Sequence, residues 1–337
     1  MITKLTRRAA LASVAALGLA TSFAAPAVAD GHKLTFTLAT SGSETDQRSV
    51  AMAEVFAPMV AEFADYQAGY NGTLFAQGTE LEAIAGGNLT MSIASAQELA
   101  QFFPEFSIFA TGYVHQDAAH QVRVFNDPLM DPFKKTVEDE LGVKLLSVMY
   151  LGRRHVNLRQ TRDELDVQTP ADLAGVNLRM PGTDAWQFLG AALGASPTPL
   201  AFSEVYTSLA SGAIDGQDNP LPTVVDQKFY EVTKQISLTS HLVDLNYIAF
   251  SKETWDSLTP EQQLTVQRAA DAAASYGRLK QLDKENSLAD FIRSQGVEIY
   301  TPDLAAFREH VQGQYVGSEA AAAWPEGVLD RINELGN

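Results

Sequence analysis

Apolar stretches of two kinds alternate along the chain: short runs of strand length, and longer segments with one apolar face at helical spacing. That alternation predicts an α/β fold. Residues 34–38 (Leu-Thr-Phe-Thr-Leu) alternate strictly and predict a first strand, followed by a helix over 46–63 whose apolar face is Val55, Phe56, Met59, Val60 and Phe63. A second strand is expected over 66–70, before the Asn71-Gly72 turn, then a short helix over 79–84 stopped by Gly86-Gly87 and a strand over 90–93. Residues 144–150 (KLLSVMY) are almost continuously apolar, as in a strand buried on both faces. Thr169-Pro170 opens a helix, 176–180 is a strand stopped by Pro181-Gly182, and helices over 184–193 and 203–211 end at Gly194 and Gly212. Residues 245–250 predict another strand. The longest helical pattern begins at Thr259-Pro260 and runs to Ser294, with Val266, Ala269, Ala270, Ala273 and Tyr276 as its buried stripe. Such a helix is on the order of 54 Å long, more than one ordinary domain needs, so it is expected to span two lobes. Breaks near Gly152 and Ser240 are the candidate crossings between them.

The first 29 residues read as a leader. Lys4, Arg7 and Arg8 precede an apolar run from Ala9 to Ala20, and Ala27-Val28-Ala29 is an A-x-A cleavage signal. Export with cleavage after Ala29, to a bacterial periplasm, is the expectation. The whole chain of 337 residues has a formal charge of −17; the leader carries three of the basic residues, so the remainder stands near −20. That balance argues against nucleic acid and against anionic membrane surfaces as partners. There is no cysteine, which excludes disulfides, thiolate metal sites and cysteine nucleophiles.

Catalytic motifs are not visible: there is no H-E-x-x-H, G-x-S-x-G, Walker loop or G-x-G-x-x-G. The expectation is therefore a protein that is not an enzyme and that uses no cofactor or metal. His115 and His120 flank Asp117, and the polarity of a surface helix accounts for them. Arginine is more informative. Of twelve arginines after the leader, five (Arg153, Arg154, Arg159, Arg162 and Arg179) fall within residues 153–179, which net +1 while the rest of that part nets −21. Pairing with Asp163 and Glu164 is the plain reading of Arg159 and Arg162. Arg179 ends a strand just before Pro181-Gly182, where ligands meet α/β sheets. A guanidinium there fits a carboxylate bidentately, from a ligand or from an internal acid.

Three segments then carry a resemblance: Pro170–Gly182 (PADLAGVNLRMPG), Pro199–Leu209 (PLAFSEVYTSL) and Gly212–Pro220 (GAIDGQDNP). With Gly152-Arg153-Arg154 and Ser251-Lys252-x-x-Trp255, they resemble the extracytoplasmic solute-binding proteins of TRAP (tripartite ATP-independent periplasmic) transporters, of the dicarboxylate-binding type. The resemblance implies a two-lobed periplasmic-binding-protein-like fold. Each lobe is a sheet flanked by helices, joined by hinge strands and one long helix, with the ligand in the cleft between. Lobe I is expected over 30–152 plus about 240–275, and lobe II over 153–239 plus about 276–337. The family's carboxylate-binding arginine corresponds to Arg179, a second cleft arginine to Arg154 (or Arg153), its amide ligand to Asn219 and its aromatic wall to Phe202. Gln217 and Asn157, with His155 and Asp218, are expected to crowd the clamp, while Thr40, Glu44, Gln97 and Asn246 are candidates on the opposite lobe. So many polar groups favour a polyhydroxylated ligand, because a plain acid would leave them unpaired. The expected ligand is a sugar acid such as a uronate or aldonate, with dicarboxylate, keto-acid and lactate-like ligands as alternatives. The implied partner is a membrane permease, with a signalling receptor as the alternative, and the chain is expected to be a monomer.

Overall fold

The computed structural model describes residues 33–336; the expected leader lies outside them. Among the described residues, nine strands form one mixed sheet: β1 (Leu34–Ala39), β2 (Ala64–Gly69), β3 (Met91–Ser95), β4 (Val143–Leu158), β5 (Asn177–Met180), β6 (Ser196–Pro199), β7 (Gly216–Asn219), β8 (Gln235–Ser251) and β9 (Glu298–Tyr300). Their order is β2-β1-β3-β8-β4-β7-β5-β6, with β9 against β8. β6 contains Pro197 and Pro199, and it sits at an edge, where a missing N–H costs no ladder bond.

β4 and β8 organise everything else. They run antiparallel along almost their whole lengths, from Val143↔Ser251 to Leu158↔Gln235. At one end β8 carries β3, which continues to β1 and β2; at the other, β4 carries β7, then β5 and β6. The expected breaks at Gly152 and Ser240 are instead irregularities inside these continuous strands. The ladder shifts register between Tyr150 and Gly152 and again between Arg154 and Val156. Gly152 has φ 133° and Ser240 has φ 47°. A β-carbon at Gly152 would come within 2.6 Å of both Glu285 Oε1 and Pro220 Cβ, so only glycine serves there. The chain thus passes between the two halves by bending strands rather than by ending them.

The helix Pro260–Ser294 has the length that the sequence predicts and opens on a Thr259–Gln262 capping box. Its first half packs Val266, Ala269 and Ala273 on Phe36, Phe56, Met149 and Ile248. Its last turns place Ile292 with Val205, Leu209, Ile214 and Ile236 of the other half. The helix predicted over 46–63 contains a π-helical segment, Met52–Phe56, between two short α segments. Pro58 offers no N–H to the carbonyl four residues before it, and Ala57 N bonds Met52 O instead. The C-terminal helix Val328–Leu335 packs Ile332 into the first half, beside Val124, Phe125 and Met130, whereas the expected division assigned 276–337 to the second.

His115 and His120 are not surface residues. Both are buried, with their rings edge to face 5.3 Å apart, and His120 Nε2 bonds the Ile332 carbonyl. Among the described residues no group of His, Asp or Glu could hold a metal ion.

Candidate functional site

The C-terminal ends of the parallel strands β1, β3, β5 and β7 converge on one cavity. It holds about 490 Å³ of empty space, part of it open to solvent, and is lined by both halves of the molecule. Ser41 follows β1, Ser95 ends β3, Arg179 and Pro181 stand at the end of β5, and Asn219 ends β7. Strand ends are where backbone and side chains can meet a ligand without disturbing the ladder.

Arg179 is almost completely buried, at 1% exposure. Its Nε donates to Leu200 O at 2.8 Å and its Nη2 to Gln77 Oε1 at 3.0 Å, both neutral acceptors. Among the described residues, no carboxylate lies within ion-pairing distance of it. Burial, joined by the charge of Arg154 and opposed by that of Asp218, pushes the Arg179 guanidinium down to about 9. It still carries its charge at neutral pH, so it is a buried cation short of a counter-ion. Phe202 stands 5.6 Å from the guanidinium carbon and rests edge-on against Phe229, so it serves both the cavity wall and the core.

Arg154 lines the same cavity but is already paired. Its Nε donates to Asp244 Oδ2 at 2.6 Å, and its Nη1 to Asp218 O at 2.8 Å and Asn219 Oδ1 at 3.3 Å. Its guanidinium also stacks 4.4 Å over the Trp186 ring. Arg153 turns away, donating from Nη2 to Gln116 O at 2.8 Å. Arg162 pairs with Asp166 and Glu298 rather than with Asp163 or Glu164, and neither it nor Arg159 reaches the cavity.

Of the other expected residues, Asn219 and Asn246 line the cavity, and Gln217, Asn157, Glu44 and Gln97 do not. Side chains alternate along a strand. Gln217 therefore shares the Asn219 face but lies one step back, where its Oε1 accepts from Asn219 Nδ2. Asn157 pairs with Gln217 in the β4–β7 register and is fully buried behind it. Asp218 points to the opposite face and meets His241 Nε2 at 3.1 Å, and His155 Nδ1 accepts from Ser240 N. Glu44 is exposed on the loop after β1, and Thr40 Oγ1 closes that turn on Gly42 N. Gln97 lines a separate pocket with Thr183 and Phe188. Gln217, Asn157, His155 and Asp218 therefore do not line the cavity.

A different polar set lines it, and the sequence reading missed it: Ser41, Arg48, Gln77, Glu98, Thr223 and Asp244. A signal existed for Asp244, an acid in an apolar strand on the same face as Asn246. Glu98 was hidden by its helix-capping role, its Oε2 accepting from Ser95 N at 2.8 Å. Burial pushes the Glu98 carboxyl up, against its Ser95 hydrogen bonds, and the nearby Asp244 adds to the rise. Burial likewise raises Asp244, against the charge of Arg154. The cavity thus combines the uncompensated Arg179 with oxygens of Glu98, Asp244 and Asn246, the last two already accepting from Arg154 and Arg48.

Comparison with known proteins follows the same lines. The family model for bacterial extracellular solute-binding proteins, family 7, matches residues 46–320. The chain is 29% identical to the sialic acid-binding periplasmic protein SiaP of Vibrio cholerae over 235 residues, 70% of this chain and 72% of that one. It is 29% identical to the 2,3-diketo-L-gulonate-binding periplasmic protein YiaO of Escherichia coli over 258 residues, 76% of this chain and 77% of that one. Among solved structures, a TRAP periplasmic solute-binding protein of Roseobacter denitrificans, with bound 3-deoxy-D-manno-oct-2-ulosonic acid (KDO), superposes with a TM-score of 0.90. It is 76% identical, covering 90% of this chain and 100% of that one.

Proposed function

The chain belongs to family 7 of the bacterial extracellular solute-binding proteins, and from that membership we propose that it captures KDO or a closely related sugar acid for a TRAP transporter. In this reading the leader directs the chain to the periplasm and is cleaved after Ala29, and the loaded protein delivers its ligand unchanged to a membrane permease. The observation that carries the proposal is Arg179, a buried guanidinium with no carboxylate partner among the described residues. A ligand carboxylate supplies the missing charge and accepts paired N–H donors. In the same cavity, Glu98, Asp244 and Asn246 offer oxygens to the ligand's hydroxyl groups. The 76% identity to a protein holding KDO supports an eight-carbon ulosonic acid over smaller acids. Closure follows from contacts that already cross the cleft: Gln77 Oε1, from the first half, accepts from both Arg179 Nη2 and Phe202 N of the second.

Thermal-shift measurements over an organic-acid panel test the reading. KDO should raise the melting temperature most, hexuronates less, and lactate, pyruvate and succinate little. Stabilisation by the small acids alone, with sugar acids inert, contradicts it.

A further inference from the structure

Three guanidinium groups reach the cavity, and they are not equivalent. Arg154 is held by Asp244 and Asp218. Arg48 is held edge-on by Asp46, Nε to Oδ1 at 2.9 Å and Nη2 to Oδ2 at 2.7 Å, and its Nη1 donates to Asn246 Oδ1 at 2.6 Å. Arg179 alone has no acid.

We propose that Asp46 sets the ligand class: by occupying the paired donors of Arg48, it withholds the second cation that a dicarboxylate would need, and so makes the site selective for monocarboxylates. The inference rests on the carboxylate-binding reading of this cavity and adds a specificity determinant to it.

The arrangement rejects a second carboxylate in two ways. The guanidinium fork that would take it is filled by a residue of the chain itself. The acids Glu98 and Asp244, whose charges act on Arg48, line the same cavity and would face the incoming charge. Hydroxyl groups meet no such penalty, because they donate to those oxygens. Burial opposes the ionisation of Asp46, yet the charge of Arg48 and its hydrogen bonds hold the carboxyl below its ordinary value. The lock therefore stays closed at neutral pH. Asp46 also caps the helix Gln47–Ala51 by accepting from Arg48 N at 2.9 Å, a role that an asparagine can keep.

Titration calorimetry with KDO and with galactarate, a sugar diacid, tests this on the wild-type chain and on Asp46→Asn. Wild-type protein should bind KDO at least about thirtyfold more tightly than galactarate, since juxtaposed like charges repel. In Asp46→Asn, galactarate should gain about tenfold or more while KDO changes by less than about threefold. Glu98→Gln provides an independent variant should Asp46→Asn fold poorly, and it should narrow the same gap several-fold. Wild-type protein that binds galactarate as tightly as KDO overturns this inference and leaves the function reading intact. So does a folded Asp46→Asn or Glu98→Gln protein that still binds KDO and gains nothing for galactarate. Failure of the wild-type chain to bind any sugar monoacid overturns the function reading, and this inference with it.

Discussion

Arg154 on β4 donates from Nε to Asp244 on β8 at 2.6 Å, between the second and third of three register shifts in the ladder that joins the halves of the molecule. One ion pair therefore lines the ligand cavity and pins the strands where they bend. Asp244 is 2% exposed, so removing its charge leaves the buried Arg154 guanidinium with only the longer 3.4 Å ion contact to Asp218. Asp244→Ala should cost about 3–5 kcal/mol of unfolding free energy in urea titrations. The double variant Arg154→Met/Asp244→Leu should recover much of it, because neither member of this pair is left behind and Asp218 keeps its contact with His241. Equal losses in the single and double variants would show that the pair is not what holds the strands there.

A second contact crosses the cleft away from the ligand. Asp226, at the end of the helix Leu221–Asp226 in the second half, accepts from the hydroxyls of Ser43 and Thr45 on the loop after β1. This contact exists only when the halves are together, so it favours the ligand-retaining state. Asp226→Ala should weaken KDO binding by about tenfold, mainly through faster release, with the fold unchanged. Stopped-flow dissociation measures this directly, and an unaltered release rate would remove Asp226 from the closing contacts.

His115 gives the chain a defined acid sensitivity. Burial, with the charge of His120 second, pushes its imidazole down to about 3, and neither ring nitrogen has a partner among the described residues. In the unfolded chain the ring titrates near ~6.5. Between those values the unfolded chain takes up a proton that the folded chain refuses, so the stability is full above about pH 6.5 and declines as the pH falls. His115→Phe removes this term. Between pH 7 and pH 5 the variant should gain about 2 kcal/mol over wild type, at about 1.4 kcal/mol per pH unit. Burial also pushes Glu80 up, to about 8, which gives the opposite slope, but it is common to both proteins and cancels in the difference. Parallel pH curves for the two proteins would contradict the assignment.

What could be read from the chain beforehand was set by how local each signal is. The 35-residue helix, the strand that carries Arg179 and the glycine stops at Gly194 and Gly212 came through, because caps, periodicity and turns are short-range. The bends at Gly152 and Ser240 looked like strand ends, since strain absorbed by a bulge leaves the same local signature as a break. In the site, Arg179, Arg154, Asn219 and Phe202 could be picked out because they fall in recognisable runs. Arg48 and Glu98 could not, since each has a sufficient local explanation, as an ion pair with Asp46 and as a helix cap. Their second role appears only when β1, β3 and β8 bring them to one wall. Asn157 and Gln217 were misjudged because two polar residues on one strand face look alike until depth along the strand is known.

In the proposed reading, Arg179 is kept uncompensated for a ligand carboxylate. Calorimetric titration of KDO into the wild-type protein, Arg179→Ala and Arg179→Lys tests it most directly. Wild-type protein should bind, and Arg179→Ala should lose about 100-fold or more in affinity, because the ligand's charge is left without its partner. Arg179→Lys should not restore it, because an ammonium lacks the paired planar donors. The melting temperature of ligand-free Arg179→Ala should be no lower than that of wild type, since an unpaired buried charge has been removed. Affinity for KDO retained within about threefold in a folded Arg179→Ala protein would contradict the account.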